Sequence, residues 1–279
     1  MAGSLIGGWL EAGRQAGEQR QVRVADIDDA QLQKLASQFE GSSITTTNSN
    51  AEAVSGADLV VIAVKPHIVK SVCNSIGAHL ESAPGKPIPV VSVAAGVRCD
   101  DMVRWLGETQ SGQNSASPVV IRCMPNTPAL LGAGITGLFA GDACPAAIKS
   151  LAGSVLAAVG EVVWVENEPL LDSVTAVSGS GPAYFFNMME CMSKAGVDLG
   201  LDADAAMKLA IETAYGAALM AREGQLPPET LRKNVTSKGG TTAAALASFN
   251  NDGFGEIVAR GMQAAHDQAV AMADEFGNE

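Results

Sequence analysis

Residues 58–64, DLVVIAV, form a nearly continuous apolar run that is rich in β-branched side chains. A strand buried on both faces of a parallel sheet has this composition, because helices cover it on either side. Two runs of the same kind follow, IPVVSVA at 88–94 and PVVIRC at 118–123. Buried strands separated by helical segments predict an α/β fold with a doubly wound sheet.

Weaker signals extend this pattern in both directions along the first part of the chain. The predicted helices lie at 1–12, 28–39, 66–80, 100–106 and 145–158, and further strands lie at 21–26, 134–140 and 161–165. The stretch 107–117 is polar and predicts a surface loop. The first part of the chain therefore predicts repeated βαβ units.

The pattern changes near Asn167, after which no strand is evident. Predicted helices rich in Ala and Met lie at 170–177, 182–199, 203–222, 241–250 and 254–276. These boundaries predict an α/β domain with a doubly wound, Rossmann-like sheet at 1–166 and an all-helical domain at 167–279, and the family resemblance given below implies that the first binds a dinucleotide. Small residues recur along the helices and let them approach closely. That pattern fits the core of a bundle or a dimer interface, and the two are compatible.

Composition limits the classes of function. The 279 residues are 47% hydrophobic and carry a formal net charge of −12, which disfavours a nucleic-acid partner. The five cysteines are odd in number and form no CxxC pair, which is typical of reduced thiols. The three histidines are far apart, so no metal site is expected. No targeting segment or membrane-length apolar run is evident, so a cytoplasmic protein is expected.

The stretch 235–246, VTSKGGTTAAAL, places two glycines and several hydroxyls directly before an apolar helix. The first amides of a helix have no intrahelical partner, and the helix dipole favours an anion there. A small carboxylate is therefore expected on the amides of Gly240 and Thr241, with Ser237 as a further donor. Gly239 and Gly240 would allow the ligand to approach closely. The alternative is that Thr241 or Thr242 merely caps the helix.

Ligands of doubly wound sheets bind beyond the carboxyl ends of the strands. Three such strand ends carry small residues, prolines and polar groups: Ala63, Val64, Lys65 and Pro66; Ala94, Ala95 and Gly96; and Met124, Asn126 and Thr127. Asn126 and Thr127 can bond to an amide or a ribose, and Lys65 is either a phosphate or ribose contact or an ordinary solvated residue. Asp26 ends the strand at 21–26, where an acidic residue bonds the ribose 2′-hydroxyl of NADH and repels the 2′-phosphate of NADPH.

The stretch 178–184, SGSGPAY, is favoured as a structural turn, because Pro182 suits the first turn of a helix. The chain contains no GxSxG, HExxH or P-loop motif and no obvious carboxylate pair. A reductase needs none of these, because its cofactor supplies the hydride.

Taken together, these motifs resemble the pyrroline-5-carboxylate reductase family over nearly the whole chain. The motifs that carry the resemblance are AVKP at 63–66, SVAAG at 92–96, RCMPNTP at 122–128, VSGSGPAY at 177–184 and VTSKGGTTAAALASFN at 235–250. The resemblance implies NAD(P)H-dependent reduction of 1-pyrroline-5-carboxylate to L-proline, the last step of proline biosynthesis. It also implies that the helical domain binds the substrate and forms a homodimer, with possible assembly into a homodecamer.

The resemblance also implies roles for individual residues. Ser237, Gly240 and Thr241 would hold the substrate carboxylate, and Thr242, the candidate catalytic residue, would bond to the ring nitrogen. The residues that would contact the cofactor are Asn50, Val64, Lys65, Pro66, Ala94, Ala95, Met124, Asn126 and Thr127. The carboxylate site implied by the family coincides with the anion site expected at the start of the helix.

The sequence departs from the family at its beginning. The family opens with a strand and a glycine-rich turn ending in a sequence like Gly-Asn-Met-Ala, and Met1-Ala2 align with the end of that turn. The first strand and the phosphate-binding glycines are therefore expected to be missing, which predicts weak dinucleotide binding.

Two alternatives remain open beside the active reductase. One is a truncated, non-catalytic or weakly active relative that dimerises but binds dinucleotide poorly. The other is a different oxidoreductase on the same two-domain plan, such as a hydroxyacid dehydrogenase. The 235–246 motif argues against a hydroxyacid dehydrogenase. So does the absence of a lysine in a helical catalytic setting such as those enzymes use.

Overall fold

The computed structural model describes residues 2–83, 86–107 and 118–277. Within these ranges the chain alternates strands and helices up to Trp164 and is helical from Leu170 onward. Most of the polar stretch predicted as a loop at 107–117 lies outside the described residues.

The described elements are twelve α-helices and nine strands. The strands are β1 (Val22–Ala25), β2 (Ile44–Thr47), β3 (Val60–Ile62), β4 (Glu81–Ala83), β5 (Lys86–Pro87), β6 (Val90–Ser92), β7 (Val120–Met124), β8 (Gly134–Ala140) and β9 (Gly160–Trp164). The helices are α1 (Ala2–Ala16), α2 (Asp29–Gln38), α3 (Asn50–Val54), α4 (Val69–Ile76), α5 (Cys99–Gly107), α6 (Ala146–Ala157), α7 (Leu170–Val174), α8 (Gly181–Asp198), α9 (Ala203–Glu223), α10 (Pro228–Asn234), α11 (Thr241–Asn251) and α12 (Phe254–Gly277).

The main sheet has five strands in the order β3-β6-β7-β8-β9. All neighbouring pairs are parallel except β7 and β8, which are antiparallel. The carboxyl ends of β3, β6 and β7 therefore lie at the same edge of the sheet. The three apolar runs of the sequence form these three strands, as predicted.

Helices cover both faces of this sheet. Val90 of β6 belongs to a core cluster with Val69 of α4 and Met102 of α5, whereas the next residue, Val91, packs in a second cluster with Leu5 of α1 and Leu156 of α6. Because successive side chains of a strand point to opposite faces, these clusters lie on opposite sides of the sheet. The predicted doubly wound α/β fold is confirmed.

The predicted single sheet is divided in two. Among the described residues, β1 pairs with β2 alone, and β3 pairs with β6 alone. The strand at Ile44–Thr47 was not predicted, because ITTT has a single large apolar residue and lacks the buried-strand pattern. Helix α10 (Pro228–Asn234) was also missed; it contains no buried residue, so no apolar stripe marks it.

The chain forms two compact units with boundaries other than 1–166 and 167–279. One unit comprises Met1–Gly179 and Ala265–Glu279, and the other comprises Ser180–Ala264. The first unit extends beyond residue 167 because α7 is held by buried ion pairs to Arg122. It also includes the end of α12, where Met272 and Phe276 lie against Gly96.

The second unit consists of helices with many exposed apolar side chains. The most exposed are Leu199 (87%), Phe185 (66%), Tyr215 (64%) and Val235 (63%). Helices α8 and α9 pack against each other, and Ala206 and Ala210 are buried residues of α9. No described helix combines the length and the apolar character that crossing a bilayer requires.

Candidate active site

The stretch 235–246 forms a turn and then the start of α11, as predicted. Gly240 is the N-cap residue, with extended backbone angles of φ −82° and ψ 174°, and no side chain caps the helix. The Gly240 carbonyl accepts the Ala244 amide in the first helical bond, so the amides of Thr241, Thr242 and Ala243 precede that bond. These amides are the unpartnered donors that attract an anion to a helix start.

Two glycines give this turn its shape for different reasons. Gly239 has φ +75°, a left-handed conformation that other residues rarely adopt. At Gly240 the constraint is space, because an added Cβ would lie 2.5 Å from Ser237 Oγ. The Ser237 hydroxyl therefore lies directly beside the helix start, where it can add a donor to the backbone amides.

The alternative that a threonine caps α11 is wrong. The cap position is occupied by Gly240, and Thr241 and Thr242 are the first two residues of the helix. Neither threonine hydroxyl, nor that of Ser237, forms a hydrogen bond with a described residue. Three hydroxyls thus remain available around the amides, and Thr242 is half-buried.

In the first unit, the end of β3 leads through Ala63 and Val64 to a short 3-10 turn at Pro66–Ile68. Lys65 is the residue before that turn, in an extended conformation, and its side chain is exposed. Val64 is also exposed at 37%. An exposed cation at a strand's carboxyl end suits an anionic ligand.

The end of β6 presents small residues. Ala94 is buried, and its amide donates a hydrogen bond to Ser92 Oγ. Ala95 is half-buried. Gly96 has φ +73°, and an added Cβ would lie 3.2 Å from Met272 Cβ. The backbone at residues 94–96 is therefore closely packed, with Gly96 lying against Met272 and Phe276 of α12.

The end of β7 differs from the prediction in one respect. Asn126 is 8% exposed, and both ends of its amide bond within the protein: Nδ2 donates to the Ser178 carbonyl, and Oδ1 accepts from the Ile135 amide. Its side chain is thus engaged by the fold. Thr127, the next residue, is exposed at the start of a 3-10 turn, and Met124 is half-buried.

The two other cofactor candidates lie around β1 and β2. Asp26 directly follows β1, and its Oδ1 accepts a hydrogen bond from the Asp28 amide at 2.9 Å. Asn50 begins α3, and its Nδ2 donates to Ser75 Oγ at 2.9 Å. Asp26 and Asn50 therefore both flank the carboxyl ends of this strand pair.

A buried ion cluster escaped the sequence analysis. The guanidinium of Arg122, which is 4% exposed, donates to Glu168 Oε1 at 3.2 Å and to Asp172 Oδ1 at 3.1 Å. The Cys99 amide also donates to Glu168 Oε1, at 2.8 Å. The signal was an arginine inside the apolar run PVVIRC, because a buried cation requires an acidic partner.

The buried cysteines are unsuited to nucleophilic chemistry. Burial raises the pKa of the Cys73 thiol to about 12. Burial also raises the pKa values of the Cys99 and Cys123 thiols. These thiols stay protonated near neutral pH and are poor nucleophiles. Within the described ranges, no group of three or more His, Cys, Asp or Glu side chains could hold a metal ion.

Two family models match the chain. The model described as pyrroline-5-carboxylate reductase dimerisation matches residues 168–272. The model described as NADP oxidoreductase, coenzyme F420-dependent, matches residues 1–96. The first match contains the α11 turn, and the second contains the ends of β3 and β6.

Similar proteins match along nearly their whole length. A pyrroline-5-carboxylate reductase of Pseudomonas aeruginosa is 43% identical over 278 residues, covering 99% of this chain and 95% of that protein. The solved structure of a pyrroline-5-carboxylate reductase from Coxiella burnetii is 34% identical and superimposes with a TM-score of 0.85, covering 97% and 95% of the two chains. The Plasmodium falciparum pyrroline carboxylate reductase, solved with NADP bound, is 25% identical with a TM-score of 0.75.

Proposed function

The chain belongs to the pyrroline-5-carboxylate reductase family, and from that premise we infer that it reduces 1-pyrroline-5-carboxylate to L-proline with NAD(P)H. This reaction is the last step of proline biosynthesis. The observation that carries the inference is the uncapped start of α11, where Ser237 and Gly240 adjoin free helix amides. That arrangement offers a carboxylate-binding site beside the hydroxyl of Thr242.

The strand ends of the first unit fit a nicotinamide dinucleotide. Exposed Lys65 supplies a cation for a phosphate, and the small residues Ala94, Ala95 and Gly96 allow a ligand near the backbone. Further contacts are assigned to Asp26, Asn50, Ala63, Val64, Pro66, Met124 and Thr127. When bound, the nicotinamide supplies the hydride. Asn126 contributes to cofactor binding only indirectly, because its side chain already forms hydrogen bonds within the protein.

The residues of α11 bind and orient the substrate. The amide of Thr241 and the hydroxyl of Ser237 hold its carboxylate, with the positive end of the helix dipole supporting the negative charge. The Gly240 amide, expected from the sequence to join them, instead donates to the Ser237 carbonyl at 3.1 Å. Gly239 gives the turn its left-handed bend. Together these groups fix the ring so that the carbon of its C=N bond can be reduced from one side.

Thr242 holds the ring nitrogen through the reaction. Reduction changes a planar imine into a secondary amine, so the nitrogen needs a partner that stays bonded throughout. A hydroxyl can accept a hydrogen bond from a protonated nitrogen or donate one to a neutral nitrogen. Because the Thr242 hydroxyl forms no bond with a described residue, it is free for this role.

The two alternatives are weaker. A non-catalytic relative is not favoured, since the match to the Pseudomonas pyrroline-5-carboxylate reductase covers 99% of this chain and 95% of that protein. A hydroxyacid dehydrogenase is not supported either, because the relatives named above are pyrroline carboxylate reductases.

The helical unit is the basis of homo-oligomerisation. Its exposed apolar side chains, among them Phe185 and Tyr215, are of the kind that association with another protein covers. The dimerisation family model covers this region. We propose a homodimer, with further assembly into a homodecamer, and a cytoplasmic location in keeping with five free cysteines.

Asp26→Ser is expected to shift cofactor preference toward NADPH by about 5- to 10-fold, because it removes a carboxylate that repels the 2′-phosphate. Serine can still accept the Asp28 amide, so the turn should persist. The measurement is kcat/KM with NADPH and with NADH, both of which should support turnover. Asp28→Ser is the matched control, since it removes the same charge two residues away. An unchanged ratio in Asp26→Ser would show that Asp26 does not face the ribose.

The function is tested by incubating the chain with 1-pyrroline-5-carboxylate and NADPH and identifying L-proline as the product. Gly240→Ala is expected to raise KM for the substrate by about 10- to 100-fold, because its methyl group displaces Ser237 Oγ. Gly141→Ala is the control, because an added Cβ there meets no atom within 4 Å and the residue lies in the first unit, away from the helical surface proposed for oligomerisation. Failure of the wild-type chain to form proline, or an unchanged KM in Gly240→Ala, would contradict the assignment.

A further inference from the structure

Residues 237–240 form a tight turn directly before α11. The Gly240 amide donates to the Ser237 carbonyl at 3.1 Å, which closes the turn, and Gly239 has φ +75° at its third position. A left-handed glycine in the third position is typical of a type II turn. Lys238 occupies the second position, and its side chain is exposed. The turn therefore fixes the backbone of a cationic residue immediately before the helix start.

The segment around this turn is basic, although the chain as a whole is acidic. Residues 230–251 contain Arg232, Lys233 and Lys238 and no aspartate or glutamate, whereas the whole chain has a formal net charge of −12. Lys233 is paired with Glu229 at 2.6 Å. Lys238 forms no ion pair with any residue that the structure describes. Its charge is therefore not offset by an acidic partner within the described part of the chain.

Lys238 is close to the helix start along the backbone. Because successive Cα atoms are about 3.8 Å apart, the Cα atoms of Lys238 and the N-cap residue Gly240 are separated by no more than about 7 Å. The four-carbon stem of a lysine is flexible, so its ammonium can reach an anion held at the helix amides. The ammonium and the positive end of the helix dipole would then attract the same anion.

We propose that Lys238 is a further substrate-binding residue, which attracts the carboxylate of 1-pyrroline-5-carboxylate to the start of α11. The inference rests on the proposed function, since it concerns the same substrate and the same anion site. The carboxylate keeps its charge while the C=N bond is reduced, so the attraction is equal in the ground state and the transition state. Such uniform binding lowers KM and leaves kcat unchanged.

The deciding variant is Lys238→Met, which keeps an unbranched side chain and removes the charge. At an ionic strength of about 0.01 M we expect KM for 1-pyrroline-5-carboxylate to rise about 3- to 10-fold, with kcat changed by less than about 2-fold. Lys238→Arg keeps the charge and should have a KM within about 2-fold of wild type. Because position 238 is exposed in the turn, both variants should fold.

Salt provides a second signature of the same attraction. At an ionic strength of about 1 M the Debye length is only about 3 Å, so exposed charges are largely screened. The ratio of the KM of Lys238→Met to that of wild type is therefore expected to fall below about 2 in about 1 M salt. A loss of packing or of turn geometry would instead give a ratio that does not depend on salt.

Lys34→Met is the control for net charge, because Lys34 is an exposed residue of α2 in the first unit. It removes the same charge outside the helical unit and should leave KM unchanged. An unchanged KM in Lys238→Met, an equal rise in Lys238→Arg or Lys34→Met, or a salt-independent ratio would each overturn the proposal.

Acetate binding separates this inference from the proposed function. Acetate carries a carboxylate without the ring, and its dissociation constant can be measured in the cofactor-free chain from the NMR shift of the Thr241 amide. That constant is expected to be at least about 3-fold higher in Lys238→Met than in wild type at low salt. If wild type forms no proline, the proposed function fails. Equal acetate binding by wild type and Lys238→Met would instead remove Lys238 from the anion site.

Discussion

Thr242→Ala is expected to lower the turnover number by about 10- to 1000-fold, the range typical of losing one positioned polar group. The ring nitrogen would lose the hydroxyl that stays bonded as the imine becomes an amine. The measurement is kcat with saturating substrate and NADPH. The substrate carboxylate should still bind, because the amide of Thr241 and the hydroxyl of Ser237 are unaffected.

The fold of Thr242→Ala should survive. The N-cap position is Gly240 and no side chain caps α11, so the substitution removes no helix cap. Alanine is also the most favourable residue in a helix. Thr242→Ser should recover most activity, and Thr236→Ala is a matched control because its hydroxyl is bonded to the Arg232 carbonyl. A folded Thr242→Ala protein with wild-type kinetics would remove Thr242 from the mechanism.

Arg122→Met is expected to lower the free energy of unfolding by about 3–5 kcal/mol. The substitution leaves the carboxylates of Glu168 and Asp172 without their cation, although both are largely removed from water. Breaking a buried ion pair is costly because the remaining charge is neither solvated nor paired. Urea unfolding at equilibrium measures the change.

The control for this prediction is Lys233→Met. Lys233 forms an ion pair with Glu229 at 2.6 Å, but both side chains are about two-thirds exposed (67% and 66%), so the loss should be no more than about 1 kcal/mol. Combining Arg122→Met with Glu168→Gln and Asp172→Asn should recover part of the stability, since no buried charge is then left unpaired. Equal effects of Arg122→Met and Lys233→Met would show that burial of the cluster does not matter.

The buried strands could be predicted because their sequence is governed by burial alone. The strand DLVVIAV at 58–64 is covered on both faces, so its residues must be apolar, and this composition can be recognised from the sequence alone. The strand at Ile44–Thr47 lacks that requirement, since its central two residues are exposed. The turn and helix start at 235–242 were likewise predictable, because glycines, hydroxyls and an apolar run lie within a few consecutive residues.

The partners of Arg122 and Asn126 were not predictable, because they are distant in sequence. Glu168 and Asp172 lie more than forty residues after Arg122, and only the packing of α7 on β7 brings them together. The π-helical turn at Thr175–Gly179 has no sequence signal of its own, since Thr175 and Ser178 are common residues. The cap of α11 was ambiguous for a local reason, because Gly240, Thr241 and Thr242 are all acceptable near a helix start.

The first unit is assembled from two pieces of the chain, and this affects the order in which it can fold during synthesis. Phe276 packs against the core around β6, and Arg98 pairs with Asp274. These α12 residues leave the ribosome long after the strands they cover, with the whole helical unit made in between. A nascent chain that ends before residue 265 therefore exposes the surface around Gly96, and the dinucleotide-binding unit can complete its packing only after the helical unit has been translated.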